Sequence, residues 1–181
     1  MALAHAILAS ILDKPTTGYD LAKRFGTDGY FWRASHQQIY GELKRLEQAG
    51  MIEPATPITG SRRNRPVAIT DAGRELLIEW IDEPTAPASI KEDLLVKCLT
   101  LGLVSRFELA EQIAERRTHH QERLSRYQAT AAHSFGHVSD LDDTRLGQYL
   151  ALIGGISYER QWISWADTAI GLLTKQVGNA Q

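Results

Sequence analysis

The chain has a single cysteine, no long apolar run and no surplus of basic residues. The one thiol, Cys98, excludes an internal disulfide and a cysteine-rich zinc site, and we interpret it as a small buried hydrophobe. The longest apolar stretches, residues 6–12 and 150–156, fall well short of the ~18 consecutive apolar residues that indicate a membrane span. Because the amino terminus also lacks the basic start of a signal peptide, we expect no membrane association and a cytoplasmic location.

Motifs of catalysis and of metal binding are scarce as well. The sequence has no Gly-rich phosphate loop and no nucleophile elbow, and Cys98 has no neighbouring histidine to activate it. His133 and His137 are four residues apart but lack an evident third ligand, while the adjacent His119 and His120 face different sides of a helix. We therefore expect no enzyme, no cofactor and no metal site, and we interpret these histidines as solvated.

The charge of the chain is close to neutral and unevenly distributed. Its 181 residues are 43% hydrophobic and 23% charged, which is typical of a globular protein with one large domain or two small ones. A net charge of -2 does not by itself indicate nucleic-acid binding. However, the segment 60–66 contains Arg62, Arg63 and Arg65 and no acid.

The first half of the chain has the element order of a winged helix-turn-helix domain. A Ser or Thr followed three residues later by an acid or amide predicts a capped helix start, and this occurs at Ser35, Ser89, Ser105 and, more weakly, Thr17. We predict helices over residues 2–12, 18–25 and 35–49 and from Thr70 to about residue 80, and strands over residues 51–59 and 66–69. We place this domain at residues 1–83.

The second half is predicted to be entirely helical, so that the fold class is mainly α. Pro84 and Pro87 mark the domain boundary, and helices are predicted over residues 90–101, 106–132 and 141–177, with a break at 134–139. The middle helix has an apolar stripe that lapses between Arg116 and Glu122. The apolar stripes of these two long helices contain Phe107, Ala110, Ile113, Leu124, Ala131, Leu146, Tyr149, Leu150, Ile153, Ile156, Ile163, Ile170 and Leu173.

Such long apolar stripes, on helices with little else to pack on, favour a partner chain. We therefore predict that residues 89–181 form an all-helical dimerisation domain, with a monomeric helical bundle as the alternative.

The helix predicted over residues 35–49 is amphipathic. Ile39, Leu43 and Leu46 share its inner face. Its opposite face and flanks contain Gln37, Tyr40, Gly41, Lys44, Arg45 and Gln48. Amides can read base edges, cations can reach guanine or phosphate, and a glycine lets the backbone come close to DNA.

A plain solvated helix face is the alternative interpretation of these outer residues. The Arg-rich segment argues against it, because it follows a short strand at the distance where a wing flanks a recognition helix. Arg62, Arg63 and Arg65 are then expected to contact phosphates or to enter the adjacent minor groove.

The same residues resemble those of a known family, the PadR regulators. Residues 30–46 (YFWRASHQQIYGELKRL) and 48–52 (QAGMI) are similar to the family's recognition-helix signature, and residues 62–67 (RRNRPV) and 69–74 (ITDAGR) to its wing and fourth helix. The second half resembles the carboxy-terminal domain of the longer members in residues 91–97 (KEDLLVK), in 158–160 (YER) and from Trp162 to Trp165. The resemblance covers nearly the whole chain.

The resemblance implies a homodimer held by its carboxy-terminal helices, with contacts exchanged by the first helix, and a palindromic operator in double-stranded DNA. It implies DNA contacts for Tyr40 and Lys44, a capping and phosphate-holding role for Ser35, and a structural role for Trp32. Many relatives have proline or alanine near Gly41, so we expect this recognition helix to be less rigid.

We therefore predict a sequence-specific transcription regulator, with repression as the expected sign. Some family members bind phenolic acids or flat aromatic drugs, and the candidate residues for a small aromatic effector here are Tyr149, Tyr158, Trp162 and Trp165. Aromatic residues at helical spacing are more often core, so a purely structural role is the alternative for these four. A winged helix used as a protein-interaction module is the alternative function.

Overall fold

The structure, a computed structural model, describes residues 2–26, 34–55, 65–87 and 92–175. The chain divides into two compact units, Met1–Pro87 and Ala88–Gln181. The elements of the first unit are α1 (Ala2–Ser10), β1 (Thr16–Thr17), α2 (Gly18–Phe25), α3 (His36–Gln48), β2 (Ile52–Pro54), β3 (Pro66–Ile69) and α4 (Asp71–Asp82). Those of the second are α5 (Asp93–Leu99), a 3-10 turn (Leu101–Leu103), α6 (Arg106–Ser134), a second 3-10 turn (Val138–Asp140) and α7 (Asp143–Thr174). The predicted fold class is confirmed.

Three helices of the first unit begin at the predicted caps. Ser35 closes a full capping box: its Oγ accepts from the N–H of Gln38 at 3.2 Å, and its own N–H donates to Gln38 Oε1 at 2.8 Å. The hydroxyl oxygens of Thr17 and Thr70 accept from the N–H groups of Asp20 and Gly73, each at 3.1 Å. These bonds satisfy backbone donors that the first helical turn leaves free, which is why each helix starts where it does.

The sheet differs from the prediction. β1 was not expected, and it lies beside β3 in a three-stranded antiparallel sheet of order β1-β3-β2, with Ile52 opposite Ile69. β2 ends at Pro54, because proline cannot donate to the ladder, and residues 56–59 of the predicted strand lie outside the described residues. The first helix also ends earlier than predicted, at Ser10.

The core of the first unit fixes α3 on one side. Its inner residues Ile39, Leu43 and Leu46 are buried, as predicted, among residues of α1, α2, the sheet and α4. Two glycines, one in the turn after α3 and one in α4, are required by the path of the chain after α3. Gly50 has φ 71°, and a Cβ on Gly73 would lie 2.2 Å from the carbonyl oxygen of the residue that follows Gly50. The inner face of α3 is therefore packed against the core of the first unit.

The second unit is built on the pairing of α6 with α7. One apolar cluster gathers Leu109 and Ile113 of α6 with Trp162 of α7 and Leu94 of α5, and another surrounds Tyr127 of α6. α5 begins later and ends earlier than predicted, with Glu92 as its N-cap; the predicted cap Ser89 lies outside the described residues. α6 starts on the predicted cap Ser105.

The buried face of α7 differs from the predicted stripe. Leu150 of α7 and Phe107 of α6, both on the predicted stripes, are 55% and 67% exposed, and Ile153 and Ile163 are only half-buried. The positions that α7 buries are Leu152, Gly155, Ile156, Glu159, Trp162 and Ala166. The prediction missed Glu159 because it counted only apolar residues.

Candidate nucleic-acid interface

The outer face of α3 is free of other protein elements in the described chain. Gln37, Lys44 and Gln48 are exposed, and a Cβ built on Gly41 would have nothing within 4 Å. Tyr40 is half-buried and packs against the core. Its ring stands over α2, where a Cβ on Gly18 would meet Tyr40 Cε1 at 2.8 Å. The structure thus brings these side chains onto one surface and anchors the tyrosine at its edge.

The two cations of this face differ in their surroundings. The Arg45 guanidinium is bound to Glu42, with Nε 3.1 Å from both carboxylate oxygens and Nη2 2.5 Å from one of them. The hydrogen bond from Arg45 lowers the pKa of the Glu42 carboxyl, which therefore stays ionised and holds the arginine. Lys44 is exposed and has no carboxylate partner in the part of the chain that the structure describes. Lys44 is therefore the cation more available to an anionic ligand.

Of the three predicted wing arginines, the structure describes only Arg65. Arg62 and Arg63 lie outside the described residues. Arg65 stands directly before β3, and its side chain is only 15% exposed and forms an ion pair with Glu47 in the last turn of α3. The predicted DNA contact of Arg65 stays a prediction, but in the structure its guanidinium faces a carboxylate of the protein itself.

The four candidate effector residues do not gather in one place. Trp162 and Trp165 lie edge to face with ring centroids 5.3 Å apart in the first cluster of the second unit. Tyr149 packs on Phe135 in the other cluster, and Tyr158 is exposed. The proposed effector site therefore stays a prediction: within one chain Trp162 and Trp165 share one cluster, Tyr149 lies in the other, and Tyr158 belongs to neither.

A buried ionic cluster lies between α6 and α7, and the sequence analysis did not foresee it. Glu159 Oε2 accepts from His120 and from Arg123 Nη2, the latter at 3.2 Å, and Arg123 Nε lies 3.0 Å from Oε1 as an ion pair without a hydrogen bond. The His120 ring is stacked on Trp162 at 3.9 Å, and the side chains of His120 and Glu159 are 2% and 4% exposed. The expectation that His120 is solvated was wrong, whereas His119, His133 and His137 are exposed as expected.

The electrostatics of this cluster favour the ionised carboxylate. Burial alone raises the pKa of Glu159, but the hydrogen bond with His120 and the charge and hydrogen bond of Arg123 outweigh burial and lower it. His120 falls within the interval where the apolar stripe of α6 lapses, and Glu159 falls on the apolar face of α7. A polar residue on an otherwise apolar helix face is the sequence signal that could have indicated a buried polar pair.

Two further properties concern the described residues alone. They contain no group of three or more His, Cys, Asp or Glu side chains arranged to hold a metal ion. None of the helices described is long and apolar enough to cross a membrane.

Both units have counterparts among known protein families. Residues 7–79 match the family described as transcriptional regulator PadR-like, and residues 90–174 match the family described as virulence activator alpha C-term. A probable transcriptional regulator of Mycobacterium tuberculosis is 37% identical over 179 residues, which cover 92% of this chain and 95% of that protein.

Solved structures of regulators are also similar over nearly the whole length. The virulence activator AphA of Vibrio cholerae has a TM-score of 0.74 at 31% identity and covers 94% of this chain and 97% of its own. The negative transcriptional regulator PadR of Bacillus subtilis is 28% identical over 96% of this chain and 98% of its own. Its structure with operator DNA has a TM-score of 0.74 at 27% identity and covers 96% of this chain and 99% of its own. Its structure with p-coumaric acid has a TM-score of 0.72 at 25% identity and covers 97% of this chain and 100% of its own. The chain therefore belongs to the PadR-like family of transcriptional regulators.

Proposed function

We propose that this protein is a DNA-binding repressor without enzymatic activity, which binds a two-fold symmetric operator as a homodimer in the cytoplasm, with α3 in the major groove. In this proposal residues 1–83 bind DNA and residues 89–181 dimerise. The observation that carries it is the outer face of α3, which is exposed and polar while its inner face is buried in the core. The B. subtilis structure with operator DNA supports it, since that relative shares the fold.

The proposed DNA contacts follow from the side-chain chemistry of this face. Gln37 lies in the first turn of α3, the part of a recognition helix that reads base edges, and an amide can bond to adenine in two places. Lys44 reaches guanine or phosphate, Tyr40 offers its hydroxyl to a phosphate, and Gly41 allows a close approach. Ser35, Arg45 and the wing residues Arg62 and Arg63 complete the proposed set of contacts.

Exposed apolar residues of the second unit support a homodimer. Four large apolar side chains between α5 and the start of α6 are mostly exposed: Val96 (60%) and Leu99 (87%) of α5, Leu103 (88%) of the 3-10 turn and Phe107 (67%) of α6. Such large apolar side chains, close together along one segment, are typical of a surface that another chain covers. A second copy is the partner we propose, because a two-fold operator requires a two-fold protein.

One relative bears on both the effector and the sign of regulation. The B. subtilis relative is named a negative regulator and has a structure with p-coumaric acid. By analogy we propose release by a small aromatic effector that contacts Trp162, Trp165, Tyr158 or Tyr149. Because one chain does not bring these residues together, such a site needs the partner chain to complete it.

Selection of DNA from a random duplex pool by the purified protein tests this proposal. We expect enrichment of a two-fold symmetric sequence whose half-sites lie about one helical turn, roughly 10 base pairs, apart. Binding of the enriched duplex should weaken steeply as salt rises. If no sequence is enriched and binding does not depend on salt, the protein-interaction module becomes the better account.

A further inference from the structure

We propose that Glu47 and Arg65 form a positioning pair that fixes the strand end of the wing segment 60–66 against the recognition helix, and that Arg65 acts through Glu47 and not on DNA itself. This inference rests on the proposed function, because it concerns how the DNA-reading surface is held in place.

The pair joins two elements that are far apart in sequence. Arg65 Nη2 donates to Glu47 Oε1 across 18 residues, from the position just before β3 to the last turn of α3. Backbone hydrogen bonds already connect the elements around this pair. The N–H of Met51 donates to the carbonyl of Leu46 at 2.9 Å, and the N–H of Ala55 donates to the carbonyl of Pro66 at 3.0 Å. The ion pair thus adds a side-chain link between α3 and the place where the chain enters β3.

The surroundings of Arg65 favour this internal role. Its side chain is 15% exposed and that of Glu47 is 32% exposed, so both are largely covered. A phosphate contact of Arg65 would compete with a carboxylate that already neutralises its charge. Arg45 is also paired, but its side chain is 61% exposed and its partner lies on the same helix.

The two roles of Arg65 predict opposite results for Glu47→Gln. If Arg65 contacts phosphate, Glu47 competes with DNA, and its neutralisation should strengthen binding, the more so because each subunit becomes more positive by one charge. If the pair positions the wing, the same substitution should weaken binding in spite of the added positive charge. The sign of the change therefore decides between them.

The experiment compares operator affinity over a salt series for the wild type, Glu47→Gln, Arg65→Gln and the charge-swapped double variant Glu47→Arg with Arg65→Glu. The probe is the duplex enriched by the wild-type protein. We expect each single variant to bind about tenfold more weakly, with the slope of log affinity against log salt unchanged, and the double variant to recover most of the loss. Glu75, an exposed glutamate of α4, gives a matched control: Glu75→Gln makes the same charge change and should bind at least as tightly as the wild type.

Thermal unfolding and titration of the active fraction, measured on every variant, separate loss of fold from loss of positioning. The proposal is overturned if folded Glu47→Gln binds as tightly as the wild type or more tightly. It is also overturned if Arg65→Gln lowers the salt slope by about one per subunit, as a lost phosphate contact would. A wild-type protein without salt-dependent DNA affinity refutes the proposed function itself, and this inference with it.

Discussion

A dimer that carries Lys44→Ala is expected to bind its operator about 30- to 100-fold more weakly than the wild type. Lys44 is exposed on the outer face of α3 and has no carboxylate partner in the described chain, so its charge is free for DNA. We take each Lys44 contact at the lower end of the roughly 1–3 kcal/mol of a base contact, about 1–1.4 kcal/mol, and the dimer loses two of them, which corresponds to about 30- to 100-fold. Anisotropy of a labelled operator, measured over a salt series, gives both the affinity and its slope.

The slope of log affinity against log salt concentration distinguishes a lost DNA contact from a damaged fold. If Lys44 neutralises one phosphate in each subunit, the slope should decrease by about 0.9 for each contact, or roughly two for the dimer. Lys14→Ala is the matched control, since it removes the same charge from an exposed site between α1 and β1. Equal losses for the two variants would show that Lys44 acts only through net charge.

Glu159→Ala is expected to destabilise the second unit by about 3–5 kcal/mol. The carboxylate is buried and takes hydrogen bonds from His120 and Arg123, so its removal takes away the anion that both contact inside the α6–α7 interface. Urea unfolding followed by circular dichroism measures the change. The exposed Glu111 of α6 offers a control, because Glu111→Ala should change the free energy of unfolding by no more than about 0.5 kcal/mol.

The pH dependence gives an independent check on the same carboxylate. Because the pKa of Glu159 is lower in the folded state than its ordinary value of 4.5, its stabilisation is fully present above that value. It is lost as the pH falls through the lowered folded pKa. The difference in unfolding free energy between wild type and Glu159→Ala should therefore narrow from about pH 7 to about pH 3. A difference that stays constant over this range would mean that the pKa of Glu159 is the same in the folded and the unfolded protein.

Features that depend on neighbouring residues were predictable from the sequence. The helix starts after Thr17, Ser35, Thr70 and Ser105 were all predicted correctly, because each cap is a bond between a side chain and a backbone group three residues away. The division of α3 into a buried and an exposed face also followed, since a helix of its length has a clear apolar period.

Features that depend on distant partners were not predictable in this way. β1 has only two residues and exists because Thr16 pairs with Val67, far along the chain. His120 and Glu159 are 39 residues apart, so the pattern of each helix marks a polar residue but does not show that the two side chains are hydrogen-bonded to each other. Arg65 was assigned to DNA on its charge and position, and its pairing with Glu47 emerges only when β3 and α3 are placed together.

The apolar stripes of α6 and α7 include residues that one chain does not bury. The periodicity places Phe107 and Leu150 on these stripes, and a single chain leaves both exposed. An apolar period shows that a residue is covered without showing what covers it. If the protein is the homodimer proposed above, such residues would be covered by the second copy.

The central claim, that α3 reads base edges in the major groove, is tested most directly with Gln37→Ala. The measurement is the affinity of wild type and variant for the selected operator and for every single base-pair change in it. Our account predicts that discrimination falls by about 1–3 kcal/mol at one base pair in each half-site, at symmetric positions, while preferences elsewhere are kept. An unchanged preference at every position, with or without a loss of overall affinity, would contradict it.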